Sequence, residues 1–277
     1  MAQPGFSIGV LAERTGVTPA VLRSWEHRFG FPVGERSSAG HRRFTDADVA
    51  QVRQVLDVRA SGVGLRAAID TVRARHDHAD ADSVHAVLAR QFPQLAVRRL
   101  GRRTLLAASH AVEDEALARA DRPLVLGSFQ EGDRYAASQH RWEELTRTAS
   151  WAAVVAEFDA DLPSDPDARP ARCSLPEGSP LRREWTVVTV SPSRAGLVSA
   201  WEVPAPAGAD PVYEAVVSTD RSAAVAAARV LLGVARSAGA SPPGEVDRVL
   251  DAPGQPSTAA DADRVWLRAL AHLEARA

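Results

Sequence analysis

Residues 7–44 read SIGVLAERTGVTPAVLRSWEHRFGFPVGERSSAGHRRF, and the rest of the chain is organised around this stretch. Ser7 is suited to cap a first helix, whose apolar residues follow at helical spacing. Gly16 stands where a left-handed turn is needed, and Thr18 followed by Pro19 marks the start of a second helix. A short helix, a tight turn and a second, polar-faced helix form a helix-turn-helix, whose second helix enters the major groove of DNA.

A basic segment follows the second predicted helix. Phe31-Pro32 ends that helix, because proline disfavours the helical conformation of the residue before it. Residues 35–44 then carry three arginines and a histidine around a glycine, which predicts a small β-hairpin, or wing, laid along phosphates. Thr45 and Asp48 have the spacing of a capping box and predict the start of a third helix.

The side chains predicted to contact DNA lie in these two elements. Those on the second helix would face the groove, and those of the wing would grip the flanking phosphates. Trp25 has two interpretations, a contact near the DNA backbone or a place in the core. The predicted DNA-binding residues are Thr18, Arg23, Ser24, Trp25, His27, Arg28, Arg36, His41, Arg42 and Arg43.

Together these residues resemble the MerR-type winged helix-turn-helix family over residues 6–75. The resemblance is carried by the segments IGVLA (8–12), LRSWE (22–26), RFG (28–30), and Gly40 with RRF (42–44). The Trp-Glu pair followed by Arg-Phe-Gly is similar to the branch that includes light- and cobalamin-responsive repressors. The cobalamin-binding histidine motif of that branch is missing, so no cofactor is expected.

The resemblance also implies a homodimer on near-palindromic promoter DNA. In the family a long dimer helix follows the DNA-binding domain. Here residues 76–82 are polar and predict a linker instead. The dimer is therefore expected through residues 83–120 or through the C-terminal domain. The histidines and aspartates of this linker could suggest a metal site, but a solvated linker explains them, and no metal is predicted.

Composition bounds the class of protein. The 277 residues suffice for two domains, and 45% hydrophobic and 25% charged residues are typical of a globular protein. No apolar run approaches the roughly 20 residues that span a bilayer, so no membrane association and a cytoplasmic location are expected. The single cysteine, Cys173, excludes a disulfide framework and a multi-thiolate metal site.

Charge is distributed unevenly along the chain. Residues 1–75 hold 11 arginines and 7 acidic residues, whereas residues 76–277 hold 22 arginines and 28 acidic residues. There is no lysine, and guanidinium groups suit bidentate contacts to phosphate or guanine, although genome composition can also favour arginine. A basic N-terminal module joined to an acidic remainder fits a DNA reader attached to a domain that does not bind DNA.

The predicted organisation is an all-α winged helix-turn-helix domain, residues 1–75, and an α/β (α+β) domain with a mixed sheet of about five strands, residues 95–240. Residues 76–94 are predicted as a linker and connecting helix, and residues 241–277 as a linker and a C-terminal helix. The hydrophobic pattern predicts helices at 83–92, 97–120, 135–148, 220–238 and 258–275, and strands at 124–129, 152–158, 185–190, 196–203 and 212–217. Arg98, Arg99, Arg102 and Arg103 would share one helical face, either solvated or a second nucleic-acid patch.

This order of elements resembles the DICT sensory domain over residues 95–235. The matching segments are Ser109-His110 with Glu113, VLGSFQ (125–130), PLRREW (180–185) with Val187-Val188, AWE (200–202) and YEAV (213–216). The resemblance implies a signal-input module coupled to the DNA reader. The residues expected to line a ligand site, for a small-molecule or protein signal, are His110, Glu113, Gln130, Trp142, Trp185 and Trp201.

No catalytic site is predicted. The chain contains no Walker loop, Gly-x-Ser-x-Gly elbow, dinucleotide-binding loop or His-Glu-x-x-His motif. His110 and Glu113 would share a helical face, where a local packing contact is the simpler interpretation. The chain is predicted to be a DNA-binding transcriptional regulator whose C-terminal domain senses a signal. The alternative is a signal-sensing adaptor whose N-terminal domain docks on protein partners, and an enzyme is the third possibility.

Overall fold

The chain is described by a computed structural model that defines residues 5–36, 42–77, 83–118, 121–203 and 210–275. Its contacts divide it into a first compact unit, which holds the described residues up to Asp77 together with Asp210, and a second that holds the described residues 83–203 and 211–275. None of the helices in these ranges is long and apolar enough to cross a membrane.

The first unit contains four helices and a hairpin in its described residues. They are α1 (Ile8–Thr15), α2 (Pro19–Phe29), β1 (Glu35–Arg36), β2 (Arg42–Arg43), α3 (Asp46–Ala60) and α4 (Leu65–Asp77). Gly16 adopts the left-handed conformation, with a φ of 74°, and Thr18 accepts a hydrogen bond from the Val21 N–H. Thr45 and Asp48 form the capping box. These local features of the helix-turn-helix are confirmed. Ser7 stands at the N-cap of α1 as predicted, but its side chain makes no capping hydrogen bond.

A single hydrophobic core holds the first unit together. Leu11 of α1 and Leu22 of α2 are fully buried, as are Phe31 after α2 and Ile69 of α4. Phe44, also buried, is bonded to Phe6 through both backbone groups, with N···O distances of 2.8 and 2.9 Å. The wing is thereby tied to the segment that precedes α1.

The second unit is an α/β domain. Its helices are α5 (Val84–Gln91), α6 (Arg102–Leu117), α7 (Gly132–Ala136), α8 (Gln139–Thr148), α9 (Arg221–Ser237), α10 (Glu245–Asp251) and α11 (Ala259–Glu274). Its strands are β3 (Arg98–Gly101), β4 (Leu124–Glu131), β5 (Trp151–Glu157), β6 (Ala171–Ser174), β7 (Glu184–Val190), β8 (Ala195–Val203) and β9 (Val212–Ser218). A 3-10 turn, Pro180–Arg183, precedes β7.

The seven strands form one mixed sheet in the order β3-β9-β8-β7-β4-β5-β6. Strand β4 runs antiparallel to the central strand β7 and parallel to β5, so that Leu126 lies opposite Val188 on one side and Ala153 on the other. Helices α5, α9 and α10 cover one face of the sheet, and α6, α8 and α11 cover the other. Burial on both faces explains the nearly continuous apolar sequences of the central strands.

The sheet has seven strands where about five were predicted. The two extra strands, β3 and β6, have four residues each and lie at opposite edges of the sheet. Residues 98–101, predicted as helix, instead pair with β9, and α6 begins only at Arg102. Residues 171–174, predicted as loop, pair with β5. Neither segment has a run of β-branched residues, so only the pairing with a neighbouring strand makes it a strand.

The predicted face of four arginines is consequently absent from the described structure. Arg98 and Arg99 are on a strand, and Arg99 pairs with Glu214 at 3.5 Å. Arg103 donates a hydrogen bond to the backbone oxygen of Leu273, at 2.6 Å. The prediction of one helical face for these residues was wrong, because the helix starts four residues later than its arginine pattern indicated.

The second unit extends beyond residues 95–240 on both sides. Val84 and Leu88 of α5 are buried in the same core as Val246 and Leu250 of α10, and Val265 of α11 is buried on the opposite face. Cys173 is fully buried in that first core, and its burial raises the pKa of the thiol to about 11. A thiol kept protonated in this way is a packing residue rather than a reactive one.

Candidate nucleic-acid interface and ligand cavity

Helix α2 presents one polar face to solvent. Leu22 and Trp25 point into the core, whereas Arg23, Ser24, His27 and Arg28 are exposed, as is the N-cap residue Thr18. Positions 23, 24, 27 and 28 recur at helical spacing and therefore share a face. Trp25 is only 4% exposed and stacks on Phe31, with ring centroids 6.5 Å apart, so the structure places it in the core.

The wing lies beside α2. Glu35 is opposite Arg43 and Arg36 is opposite Arg42 in the hairpin register. The tip of the hairpin, with the predicted residue His41, and the side chain of Arg36 lie outside the described part of the chain. Arg43 is exposed.

Arg42 connects the wing to α2. Its Nε contacts Glu26, and its Nη1 donates a hydrogen bond to the backbone oxygen of Val33 at 2.7 Å. This guanidinium is half-buried and already engaged within the protein. It can therefore set the angle of the wing against the helix.

Side chains of α2 and of the wing meet around one open groove. Arg23 and Glu26 border it from the helix, and Arg42 and Arg43 border it from the wing. Among the described residues, Arg23 and Arg43 have no ion-pair or hydrogen-bond partner, so both guanidinium groups are available to an external anion. A surface of this kind can place cations on two sides of a phosphate backbone.

The other end of α2 is fixed by α4. Gly30 takes the left-handed conformation and ends the helix, and Arg73 Nη2 donates to the Gly30 backbone oxygen at 2.6 Å. Arg53 in α3 similarly donates to the backbone oxygen of Arg14, at 2.6 Å. These bonds hold the helix-turn-helix rigidly, which a reader of base edges requires.

A cavity of about 150 Å³ lies in the second unit at the carboxyl end of β4, on the face covered by α6. Three of the six predicted ligand-site residues line it, namely His110, Gln130 and Trp185. They are joined by Arg102 and Leu106 of α6, by Phe129 of β4 and by Arg134 of α7. Arg102, Leu106 and His110 are spaced by four residues, a helical periodicity that could have grouped them from the sequence.

The other three predicted residues lie elsewhere. Trp142 is fully buried in the core beneath α6, in edge contact with Phe129 at 5.5 Å between ring centroids. Trp201 is buried on the opposite side of the domain, against His85 and under the Arg183 guanidinium. Glu113 is 3% exposed and pairs with Arg141 of α8. None of them lines the cavity.

Two buried carboxyl groups have unusual acidity. Burial raises the pKa of Glu113 to about 7, and the Arg141 guanidinium opposes that rise. Arg141 also donates a hydrogen bond to Asp114, and the other carboxylate oxygen of Asp114 lies 2.7 Å from His272 Nε2. These contacts join α6, α8 and α11 in one polar cluster. Burial likewise raises the pKa of Glu184 to about 7.

Glu184 caps helix α5. It accepts hydrogen bonds from the Ser83 hydroxyl and from the backbone N–H groups of Val84, at 3.0 Å, and His85, at 3.2 Å. The residue next to it, Trp185, lines the cavity, and Ser128 Oγ, also in the lining, donates to the backbone oxygen of Glu184 at 3.1 Å. The cavity wall and the first turn of α5 are thus joined through one residue.

The described residues bring together neither the Ser109–His110 pair nor a cluster of metal ligands. Ser109 is buried and its hydroxyl has no hydrogen-bond partner there, so it does not meet His110. No group of three or more His, Cys, Asp and Glu side chains is placed to hold a metal ion within the described ranges. Residues 78–82 of the predicted linker lie outside those ranges.

The two units match two domain families. Residues 6–74 match the MerR HTH family regulatory protein, and residues 82–203 match DICT, a sensory domain in diguanylate cyclases and two-component systems. The chain combines a MerR-type domain with a DICT sensory domain. The DICT match ends with β8, and the remaining strand and three helices of the second unit follow it.

Several curated relatives are HTH-type transcriptional regulators. The transcriptional repressor CarH of Myxococcus xanthus is 37% identical over 65 residues, 24% of this chain and 22% of that protein. The transcriptional activator TipA of Streptomyces coelicolor is 38% identical over 93 residues, 34% of this chain and 35% of that protein. The transcriptional regulator MlrA of Escherichia coli strain K12 is 36% identical over 50 residues, 18% of this chain and 21% of that protein. The chain thus spans only between about a fifth and a third of these relatives.

Proposed function

We propose that this protein is a sequence-specific, DNA-binding transcriptional regulator, and that its DICT domain senses a signal and modulates promoter binding. The observation that carries the proposal is the groove of the first unit, where Arg23 of α2 and Arg43 of the wing are both without partners among the described residues. The names of the relatives, a repressor, an activator and a regulator, support the same conclusion.

The proposed roles differ between the arginines. Arg23 and Arg28, with Ser24, His27 and Thr18, face the major groove from α2, and Arg43 contacts a flanking phosphate. Arg42 positions the wing through Glu26 and the Val33 backbone oxygen rather than reaching the DNA alone. Arg36 and His41 extend the wing contact. Trp25 supports α2 from the core.

The protein is expected to act as a cytoplasmic homodimer on double-stranded promoter DNA, without a cofactor or catalytic activity. Sensing is assigned to the second unit, because its cavity and the cap of α5 share a strand end at Glu184 and Trp185. Helix α5 directly follows the segment that leads from the first unit. A ligand against Trp185 could therefore change how firmly the start of α5 is held.

Fluorescence anisotropy of the full-length protein would test the DNA-binding proposal. The probe is a labelled duplex recovered with the wild type from a randomised library, titrated at several salt concentrations. R43A should reduce the slope of log K against log salt by about 0.9 for each phosphate that Arg43 neutralises. R23A should relax the preference at one base pair by roughly 1–3 kcal/mol.

R147A is the matched control, because Arg147 is a 73% exposed arginine of the second unit. It removes the same charge and should leave both the salt slope and the base preference unchanged. Equal salt slopes for R43A and R147A would contradict the interface. Salt-insensitive capture of a protein, with no saturable binding of duplex DNA, would instead support the adaptor alternative.

A further inference from the structure

The cavity at the end of β4 has a basic rim. Arg102 is exposed and has no ion-pair or hydrogen-bond partner among the described residues. Arg134 contacts the Gln130 side-chain oxygen and lies 3.5 Å from Glu131. No described carboxylate belongs to the lining itself. The charge of the cavity therefore favours an anion.

Backbone groups of α6 add to this preference. The helix has 16 residues and begins at Arg102, directly at the cavity, with a glycine at its N-cap and no side chain capping its first N–H groups. The N-terminus of a helix carries partial positive charge and uncommitted N–H donors. Arg102 is the first residue of this helix, so the positive end of α6 and the guanidinium lie at the same end of the cavity.

Gln130 gives the cavity a fixed polar edge. Its Nε2 donates a hydrogen bond to Glu202 at 3.1 Å, and its side-chain oxygen accepts one from the Arg134 guanidinium. The amide is 4% exposed and cannot turn without losing both partners. Arg134 is thereby held at the edge of the cavity and does not extend into solvent.

Much of the remaining wall is apolar, although His110, Ser128 and Ser138 also border the cavity. Leu106 and Phe129 form part of it, and the Trp185 ring stands edge-on to Tyr213 with centroids 6.2 Å apart. Aromatic walls fixed in this way favour a planar group over a branched one. A volume of about 150 Å³ is that of a cavity known in another protein to hold a benzene ring.

We propose that this cavity binds a small planar organic anion, with the chemistry of a single-ring aromatic carboxylate. The carboxylate lies at Arg102 and the first turn of α6, and the ring packs against Trp185 and Phe129. This inference rests on the proposed sensory function of the second unit and assigns the chemical class of its signal.

Calorimetric titration of the full-length protein tests the assignment with three probes: benzoate, its neutral isostere benzamide, and inorganic phosphate. Benzoate should bind saturably, with benzamide and phosphate each at least about ten-fold weaker, since a charge-assisted hydrogen bond and an apolar wall each contribute at least a factor of about ten. R102Q should weaken benzoate about ten-fold or more. R98Q makes the same change at an exposed arginine on the adjoining strand β3 and should have no effect.

Each other result overturns the proposal. Absence of saturable benzoate binding up to about 10 mM removes the site, since weaker binding than this is below any useful affinity. Equal affinity for benzoate and benzamide would show that the site does not require an anion. Equal affinity for benzoate and phosphate would show that it does not require an aromatic ring. An equal loss of benzoate affinity in R102Q and R98Q would show that Arg102 is not the residue that binds the carboxylate.

The ligand proposal and the DNA-binding proposal can be refuted independently of each other. Benzoate titration needs no DNA, and the DNA titration needs no ligand. Benzoate binding that leaves DNA affinity unchanged supports the cavity assignment and counts against the sensing part of the proposed function.

Discussion

Replacing Glu184 with glutamine tests the buried cap of α5. The Glu184 carboxyl is inaccessible to solvent and accepts bonds from Ser83, Val84 and His85. Burial raises its pKa from 4.5 to about 7, and the three hydrogen bonds oppose the rise. Glutamine has nearly the same shape, and its oxygen can accept both backbone N–H groups while its amide donates to the Ser83 hydroxyl.

The sign of the effect follows from proton linkage. Between pH 4.5 and about 7 the folded protein holds a proton on Glu184 that the unfolded chain has released. The contribution of this group to the free energy of unfolding is therefore greatest below pH 4.5 and is lost as the pH rises toward 7. From pH 5 to pH 8 the wild type should lose about 2 to 3 kcal/mol that E184Q retains.

Urea denaturation of the full-length wild type and E184Q at pH 5 and pH 8 measures this difference directly. Glu113 contributes a pH dependence of the same sign to both proteins, so it cancels in the comparison. E177Q makes the same chemical change at an exposed position and serves as the control. A stability difference between E184Q and wild type that stays constant with pH, or that shifts in favour of the wild type from pH 5 to pH 8, would refute the reasoning, because the pKa of Glu184 would then not be raised in the fold.

Two further changes test packing and assembly. G127A should lower the free energy of unfolding by about 1–3 kcal/mol or more, because a methyl group there would stand 2.5 Å from the buried Trp142 ring. G233A is the control, since the space around Gly233 is open, and it should be neutral or stabilising. A thermal melt in which G127A is as stable as G233A would contradict the packing. L267E/L270E should weaken the expected dimer at least about ten-fold in light-scattering measurements, because these leucines, with Trp266, make α11 the helix with the most exposed large apolar side chains among the described residues. V97E changes an apolar residue that is 47% exposed elsewhere and is the control; an unchanged mass for the α11 variant would exclude this face as the interface.

Local sequence signals predicted the first unit well. Thr18 with Pro19, Gly16, and Thr45 with Asp48 each act within about four residues, and each appears in the structure where the pattern indicated. The hairpin of β7 and β8 was equally readable, because a β-branched run, a turn and a second apolar run adjoin in the chain.

The edge strands and the cavity could not be predicted from local sequence patterns. Strand β3 lies within an arginine-rich sequence that has a helical apolar stripe, and only its hydrogen bonds to β9, more than 100 residues away, make it a strand. The cavity draws on α6, the end of β4, α7 and the start of β7, so Arg134 carried no signal that tied it to Arg102. Of three candidate tryptophans only Trp185 borders it; Trp142 and Trp201 fill the cores on the two faces of the sheet.

The sequence by itself determined the helix-turn-helix with the cap of its second helix, the central hairpin and the two-part organisation, because these depend on contacts between neighbours in the chain and on composition. Only the tertiary structure decided which arginines are free and which are engaged. Arg42 is held by Glu26, whereas Arg43, next to it in the sequence, is exposed. The physical reason is that a side chain's availability depends on partners brought near by folding, which no local pattern encodes.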